Sequence, residues 1–92
     1  MTIGLNLFAS DADIGLELYK NGDKQTANEL LTKACENKEA KACTFLGALY
    51  ANGKDVKQDY IKAIDLFSKS CDLKDSLSCY NLGIMYRDAK GV

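Results

Sequence analysis

Apolar positions along the chain recur at helical spacing. Cys43, Leu46, Gly47 and Tyr50 fall at i, i+3, i+4 and i+7, and Ala63, Ile64, Leu66, Phe67 and Cys71 make a second stripe of the same kind. Such stripes belong to helices that bury one face. No useful alternating run and no proline interrupts them. The pattern predicts helices near 11–21, 24–36, 39–52, 59–72 and 75–89. The stretch SDAD at 10–13 reads as a capping-box start, in which a hydroxyl and an acid three places on satisfy free amides of the first turn. Gly22 and Gly53 read as helix stops, because glycine takes the left-handed conformation without steric cost.

The helices repeat. Shifting the chain by 36 residues superposes 34–56 on 70–92 with eight identities in twenty-three, among them Cys35/Cys71, Cys43/Cys79, Leu46/Leu82, Gly47/Gly83, Tyr50/Tyr86 and Val56/Val92. The same shift matches Ala27, Leu30 and Lys33 to Ala63, Leu66 and Lys69. Upstream, LYKNG (18–22) matches LYANG (49–53) at a shift of only 31, which predicts an inter-helix loop five residues shorter in the first unit. Each helix pair has an apolar face that it cannot bury alone, so successive pairs must stack. The expected fold is an all-α solenoid of antiparallel helix pairs, about two and a half repeats in one domain over 1–92, with units 11–38, 39–74 and an incomplete 75–92. Gly47 and Gly83 are expected where helices approach closely, and Tyr19, Tyr50 and Tyr86 as core residues with a polar edge.

The stretch ACTFLGALYANGKDVKQDYIKAIDLFSKSC (42–71) resembles a Sel1-like repeat, and the cysteine pairs eight apart resemble the Helicobacter cysteine-rich protein family. The likeness runs over about 12–92 and keeps in order the L-G-x-x-Y core, the following loop, the K-A-x-x-x-F helix and the C-x7-C pair. The first unit departs from it, being short and poor in cysteine, and the stop at Val92 falls before a third second helix would begin. The resemblance therefore implies a longer native protein. It also implies β-lactamase or penicillin-binding activity.

Within one helix, residues eight apart are about 12 Å apart along the axis, beyond the reach of a disulfide, so a bend must separate the two cysteines of each pair. In the helix assignment above, Cys35 and Cys71 end second helices, and Cys43 and Cys79 lie in the first turns of the helices that follow. Bonds Cys35–Cys43 and Cys71–Cys79 would staple neighbouring repeats, and of three pairings the spacing favours this one. Reduced, buried cysteines and a zinc site stay open as alternatives. Disulfides imply the periplasm or secretion, and free thiols the cytoplasm.

Composition narrows the chemistry. Apolar residues are 47% and charged residues 27%, as in a folded chain. Twelve basic against thirteen acidic side chains give a net charge of -1 with no basic stripe, which argues against nucleic acid as a partner. The start MTIGLNLFAS has no basic n-region and is too short to span a bilayer, so neither a signal peptide nor a membrane span is read there. Histidine is absent, which removes the commonest general base and most catalytic zinc sites. No Ser or Thr stands three places before a Lys, and S-D-N and K-T-G are missing, so the parts of a serine β-lactamase are not found. GALYANGKD (47–55) spaces its glycines too widely for a phosphate loop, and DADIG (11–15) has glycine where a calcium loop needs a ligand. No catalytic, metal or cofactor residue is assigned.

What remains is a surface. With Leu46, Gly47 and Tyr50 turned inward, the first helices of the pairs should turn Asp13 and Glu17, then Lys41, Thr44, Phe45 and Ala48, then Tyr80, Asn81, Ile84 and Arg87 toward a concave groove. Phe45 and Tyr80, flanked by Arg87, are the expected aromatic anchor. The expected function is binding of a protein or peptide, with a β-lactam binder or weak β-lactamase as the alternative. Leu82, Met85 and Tyr86 lack the second helix that would cover them, so self-association through the last helix is a further expectation.

Overall fold

The computed structural model describes residues 9–91, which form five helices and no strand: α1 Asp11–Lys20, α2 Lys24–Glu36, α3 Ala40–Asn52, α4 Tyr60–Asp72 and α5 Ser76–Arg87. The apolar start read for targeting signals, up to residue 8, and the Val56/Val92 match at its last residue lie outside the described residues. α1 packs on α2 and α3 on α4 as antiparallel pairs, and α2 on α3 and α4 on α5 join the pairs into a stack with principal extents of 46 × 26 × 16 Å. No described helix is long and apolar enough to cross a membrane.

Local chemistry sets the helix ends. Ser10 Oγ accepts the Asp13 amide at 3.1 Å, and the Asp13 carboxylate accepts the Ser10 amide at 3.4 Å, so the capping box is formed. Asp23 and Asp59 cap α2 and α4 by accepting the amides of Thr26 and Lys62. At the other ends Gly22 and Gly53 are left-handed, with φ of 96° and 65°. Between repeats the same job falls to lysines. Lys38 and Lys74 have φ of 68° and 73°, and the next amides, of Glu39 and Asp75, donate back to the carbonyls of Ala34 and Ser70 at 3.0 and 3.1 Å. These satisfied carbonyls close a Schellman turn that a glycine normally makes, which is why the sequence shows no stop signal there.

The core is built of small residues and a few large ones. Ala27, Ala34, Ala42 and Ala63 have no exposed surface, and Leu31, Leu46, Leu49 and Phe67 fill the space between helices that they allow to approach. A Cβ at Gly47 would stand 2.7 Å from the Phe67 ring, so this glycine is a site of close approach. Gly15 plays the same part against Leu31, at 2.8 Å. Leu31 and Phe67 are 36 residues apart, but Gly15 and Gly47 are 32 apart. The α1–α2 loop is accordingly three residues (21–23) against seven (53–59) in the α3–α4 loop, a difference of four and not the five counted from the matched glycines. That one-residue slip turns Tyr19 about 100° away from the position of Tyr50.

Three expectations at the last helix are corrected. Gly83 has nothing within 4 Å of the place its Cβ would take, and Tyr86 is 53% exposed, because no described residue lies across that face of α5. Met85 is not uncovered: it is 4% exposed and packs with Ala63 and Phe67 of α4.

Candidate binding groove

The cysteines sit where the helix ends place them. Cys35 in the last turn of α2 is bonded to Cys43 in the first turn of α3, and Cys71 of α4 to Cys79 of α5, with Cα separations of 4.8 and 4.7 Å and no free thiol. Both bonds close across the lysine turn that joins one repeat to the next. Each closed loop is worth about 2–3 kcal/mol in the chain-entropy model. Among the described residues no three acidic or cysteine side chains gather as ligands for a metal ion.

Beside each disulfide, an acid ties consecutive first helices together. Glu39 and Asp75 stand at the N-caps of α3 and α5, yet neither carboxylate caps its own helix. Glu39 reaches back to α1 and accepts the Ala12 amide at 3.1 Å. Asp75 reaches back to α3 and accepts the Thr44 hydroxyl, with the hydroxyls of Ser70 and Ser78 at 3.1 and 3.0 Å on the same oxygen. Thr44 Oγ1 lies 2.6 Å from Ser70 Oγ and 2.7 Å from Ser78 Oγ, so α3, α4 and α5 meet in one knot of hydroxyls. Ser70 and Ser78 have no exposed surface. The Thr44 hydrogen bond, more than those of Ser78 and Ser70, holds the Asp75 carboxyl below its ordinary value, against the opposing effect of burial.

Three adjoining depressions share Ala48; two are lined chiefly by the first helices, and Tyr60 and Phe67 of α4 contribute to the third. One, of about 440 Å³, lies between Leu16, Phe45, Lys41 and Leu77. A second, of about 470 Å³, runs from Phe45 to Tyr19 and Lys54. The third, of about 190 Å³, lies between Asn52, Asn81, Ile84 and Met85. The Phe45 ring meets Tyr19 edge to face, with centroids 4.9 Å apart. Tyr19 is fixed from the far side: its hydroxyl donates to Asp55, which also pairs with Lys24 at 3.1 Å. Burial, followed by the Asp55 carboxylate, pushes the Tyr19 phenol up to about 12.

Of the residues assigned to this face from the sequence, Lys41, Thr44, Phe45, Ala48, Asn81 and Ile84 line the depressions. The Thr44 hydroxyl, however, is engaged in the knot. Asp13 stands at the edge in an ion pair with Lys41 at 2.6 Å. Glu17, Tyr80 and Arg87 line none of the three; Tyr80 is 67% exposed, and Arg87 pairs with Asp88 at 3.0 Å. Phe45 therefore meets Tyr19 from the preceding repeat, where the sequence reading expected Tyr80 from the following one. Leu16, Tyr19, Asn52 and Leu77 line the groove beyond the residues the sequence points to. The four-residue loop difference is the signal for the first two: a shift of 32 puts Leu16 on Ala48, whereas the LYxNG match puts Tyr19 on Tyr50.

Comparison with known proteins agrees with this architecture. A stretch of 51 residues is 47% identical to the beta-lactamase HcpA of Helicobacter pylori (strain J99), covering 55% of this chain and 20% of that protein. The matched part thus spans about a fifth of the length of that curated relative. The family model for the Sel1 repeat matches residues 12–38, 40–75 and 76–92. With five helices in stacked pairs, a buried glycine under the helix that crosses it and a disulfide between repeats, the chain belongs to the Sel1 repeat family.

Proposed function

We propose that the chain is a peptide- or protein-binding module that receives its ligand along the groove of α1, α3 and α5. The observation that carries this reading is the set of three depressions meeting at Ala48, floored by Leu16 and Phe45 and bordered by the carboxamides of Asn52 and Asn81. Apolar pockets with a few polar groups at the border suit alternate side chains of a bound segment, with its backbone on the carboxamides. Lys20 and Lys54 line one depression and Lys90 another, while Asp75 spends its charge on hydroxyls. An apolar segment carrying acidic residues fits best. The two disulfides support an exported protein, since such bonds persist in oxidising compartments.

The test is selection of peptides from a displayed library on the oxidised protein, followed by calorimetry. Phe45→Ala and Ala48→Glu should each weaken binding by about tenfold or more with helicity unchanged, as expected of central anchors, and Tyr80→Ala should leave it near the starting value. Equal affinities for Phe45→Ala, Ala48→Glu and the parent would refute the groove assignment.

A second reading is favoured by the 47% identity to a protein named as a beta-lactamase. In a chain without histidine or an S-x-x-K motif, that kinship would act through binding of a β-lactam and not through efficient turnover. Incubation with a chromogenic cephalosporin and intact-mass measurement separates the two readings. Turnover or a covalent adduct would displace the peptide reading.

A further inference from the structure

Asp55 stands in the left-handed region, with φ of 62°, where a side chain meets a steric cost that glycine does not. Lys38 and Lys74 take that conformation to close helices, but α3 already ends on Gly53. At the place of Asp55 in the next unit, 36 residues on, the chain has Gly91, with φ of 79°. The turn itself therefore does not call for an aspartate. The loop is also held without that carboxylate: the Gln58 carboxamide donates to the Ala51 carbonyl at 2.8 Å, the Asp59 amide donates to the Tyr50 carbonyl at 2.9 Å, and Val56 packs on the core.

What the carboxylate does is reach the preceding repeat. Its Oδ2 accepts the Tyr19 hydroxyl and pairs with the Lys24 ammonium at 3.1 Å. Lys24 also lies over the Tyr19 ring, 5.1 Å from its centroid, within cation–π range. The phenol is thus held at its hydroxyl and over its ring, and it meets Phe45 edge to face. Tyr19, Phe45 and Lys54, the neighbour of Asp55 in the chain, line the same depression of about 470 Å³. The tether is made once: Gly91 offers no acceptor at the following junction, where Tyr50 lies under Lys62 instead. A residue kept in a costly conformation by contacts outside its own loop marks a site that is shaped in advance.

We propose that Asp55 is the positioning residue of the groove: from the α3–α4 loop it fixes the Tyr19 ring against Phe45, and so keeps the depression between them shaped to receive a side chain of a bound peptide. Asp55 lines none of the three depressions, so it acts through Tyr19. That ring is only half-buried, and without the tether its hydroxyl end is free to swing away from Phe45. Ordering the ring before binding removes an entropic cost that the peptide otherwise meets. The inference rests on the groove reading and adds to it the residue that presets the groove.

Two measurements test it, the first without any peptide. In the oxidised, isotope-labelled protein, Asp55→Gly should keep helicity, because Gly91 makes the equivalent turn, yet should lose the contacts between the Tyr19 and Phe45 rings in nuclear Overhauser spectra. The Tyr19 phenol, pushed up to about 12 by burial and then by Asp55, should titrate lower. Tyr19→Phe should loosen the rings in the same way, and Asp55→Asn, which keeps an oxygen for the hydroxyl, should restore them. For a peptide selected on the parent protein, Asp55→Gly and Tyr19→Phe should each weaken binding by about fivefold, the double variant no further, and Asp55→Asn should recover most of the loss. Unchanged ring contacts in Asp55→Gly, or an affinity that falls only where helicity falls, would overturn the proposal. A peptide that tolerates Phe45→Ala would refute the groove reading and this inference together, whereas one that fails with Phe45→Ala and ignores Asp55→Gly would refute this inference alone.

Discussion

Cys43 and Cys79 hold the same place in successive units, but Cys43 has no exposed surface and Cys79 is open to solvent. Exchange requires a thiolate to reach a disulfide sulfur, so access separates two bonds of identical spacing. In graded dithiothreitol followed by alkylation and peptide mapping, Cys71–Cys79 should be reduced before Cys35–Cys43. Simultaneous loss of both would show that global unfolding, not surface attack, exposes them. The lysine turns beside them show the same dependence on surroundings. Lys38 and Lys74 are left-handed against their intrinsic preference, held by the bond on one side and the back-donated amide on the other.

At the scale of the element, one residue type does opposite things on two helices. Gly47 on α3 lies under the Phe67 ring, and Gly83 on α5 lies under nothing. Alanine in a helix interior is favoured over glycine by about 1 kcal/mol, so Gly83→Ala should raise stability by up to about that amount. Gly47→Ala gains the same propensity but forces a Cβ to 2.7 Å from a ring that is 3% exposed and cannot withdraw. Overpacking of this kind costs about 1–3 kcal/mol, and the net change should be a loss. Urea melts of both variants check the contrast, and equal shifts would contradict the close approach. The helix spans themselves were legible in the sequence to within two residues at either end, because caps and periodicity are local. The orientation of α1 was not, because LYKNG and LYANG align the loops while Gly15 and Leu31 decide how the helix is turned.

For the whole molecule, Asp75 makes cohesion of the stack dependent on pH. The Asp75 carboxyl is held below its ordinary value of 3.8 by the hydroxyls of Thr44, Ser78 and Ser70. A depressed folded value means that the unfolded chain takes up the proton first. The stabilisation is therefore complete above pH 3.8 and drains away as pH falls through the lowered folded value. Asp13, Asp55 and Asp88 are lowered too, by Lys41, Tyr19 and Arg87 respectively, and drain in the same direction. Asp75→Ala removes the shared acceptor of two fully buried hydroxyls, so at pH 7 it should cost about 1–3 kcal/mol. Asp75→Asn should give a shallower acid limb in a plot of stability against pH. An unchanged acid limb in Asp75→Asn would assign acid sensitivity to the surface pairs alone.

The sequence by itself determined what depends on neighbours along the chain: five helices, the period of 36, and cysteines placed on either side of a turn, a spacing that favours local pairing. Tertiary structure decided what depends on which side chain arrives from elsewhere. Phe45 meets Tyr19 and not Tyr80 because Gly15 sets the rotation of α1. Thr44 enters the groove with its hydroxyl already engaged, because Asp75 and two serines converge on it from α4 and α5. Gly47 and Gly83 are indistinguishable in the repeat pattern and differ only in whether a ring from another helix lies above them. Periodicity fixes which residues are equivalent, and packing across helices fixes what each equivalent residue touches.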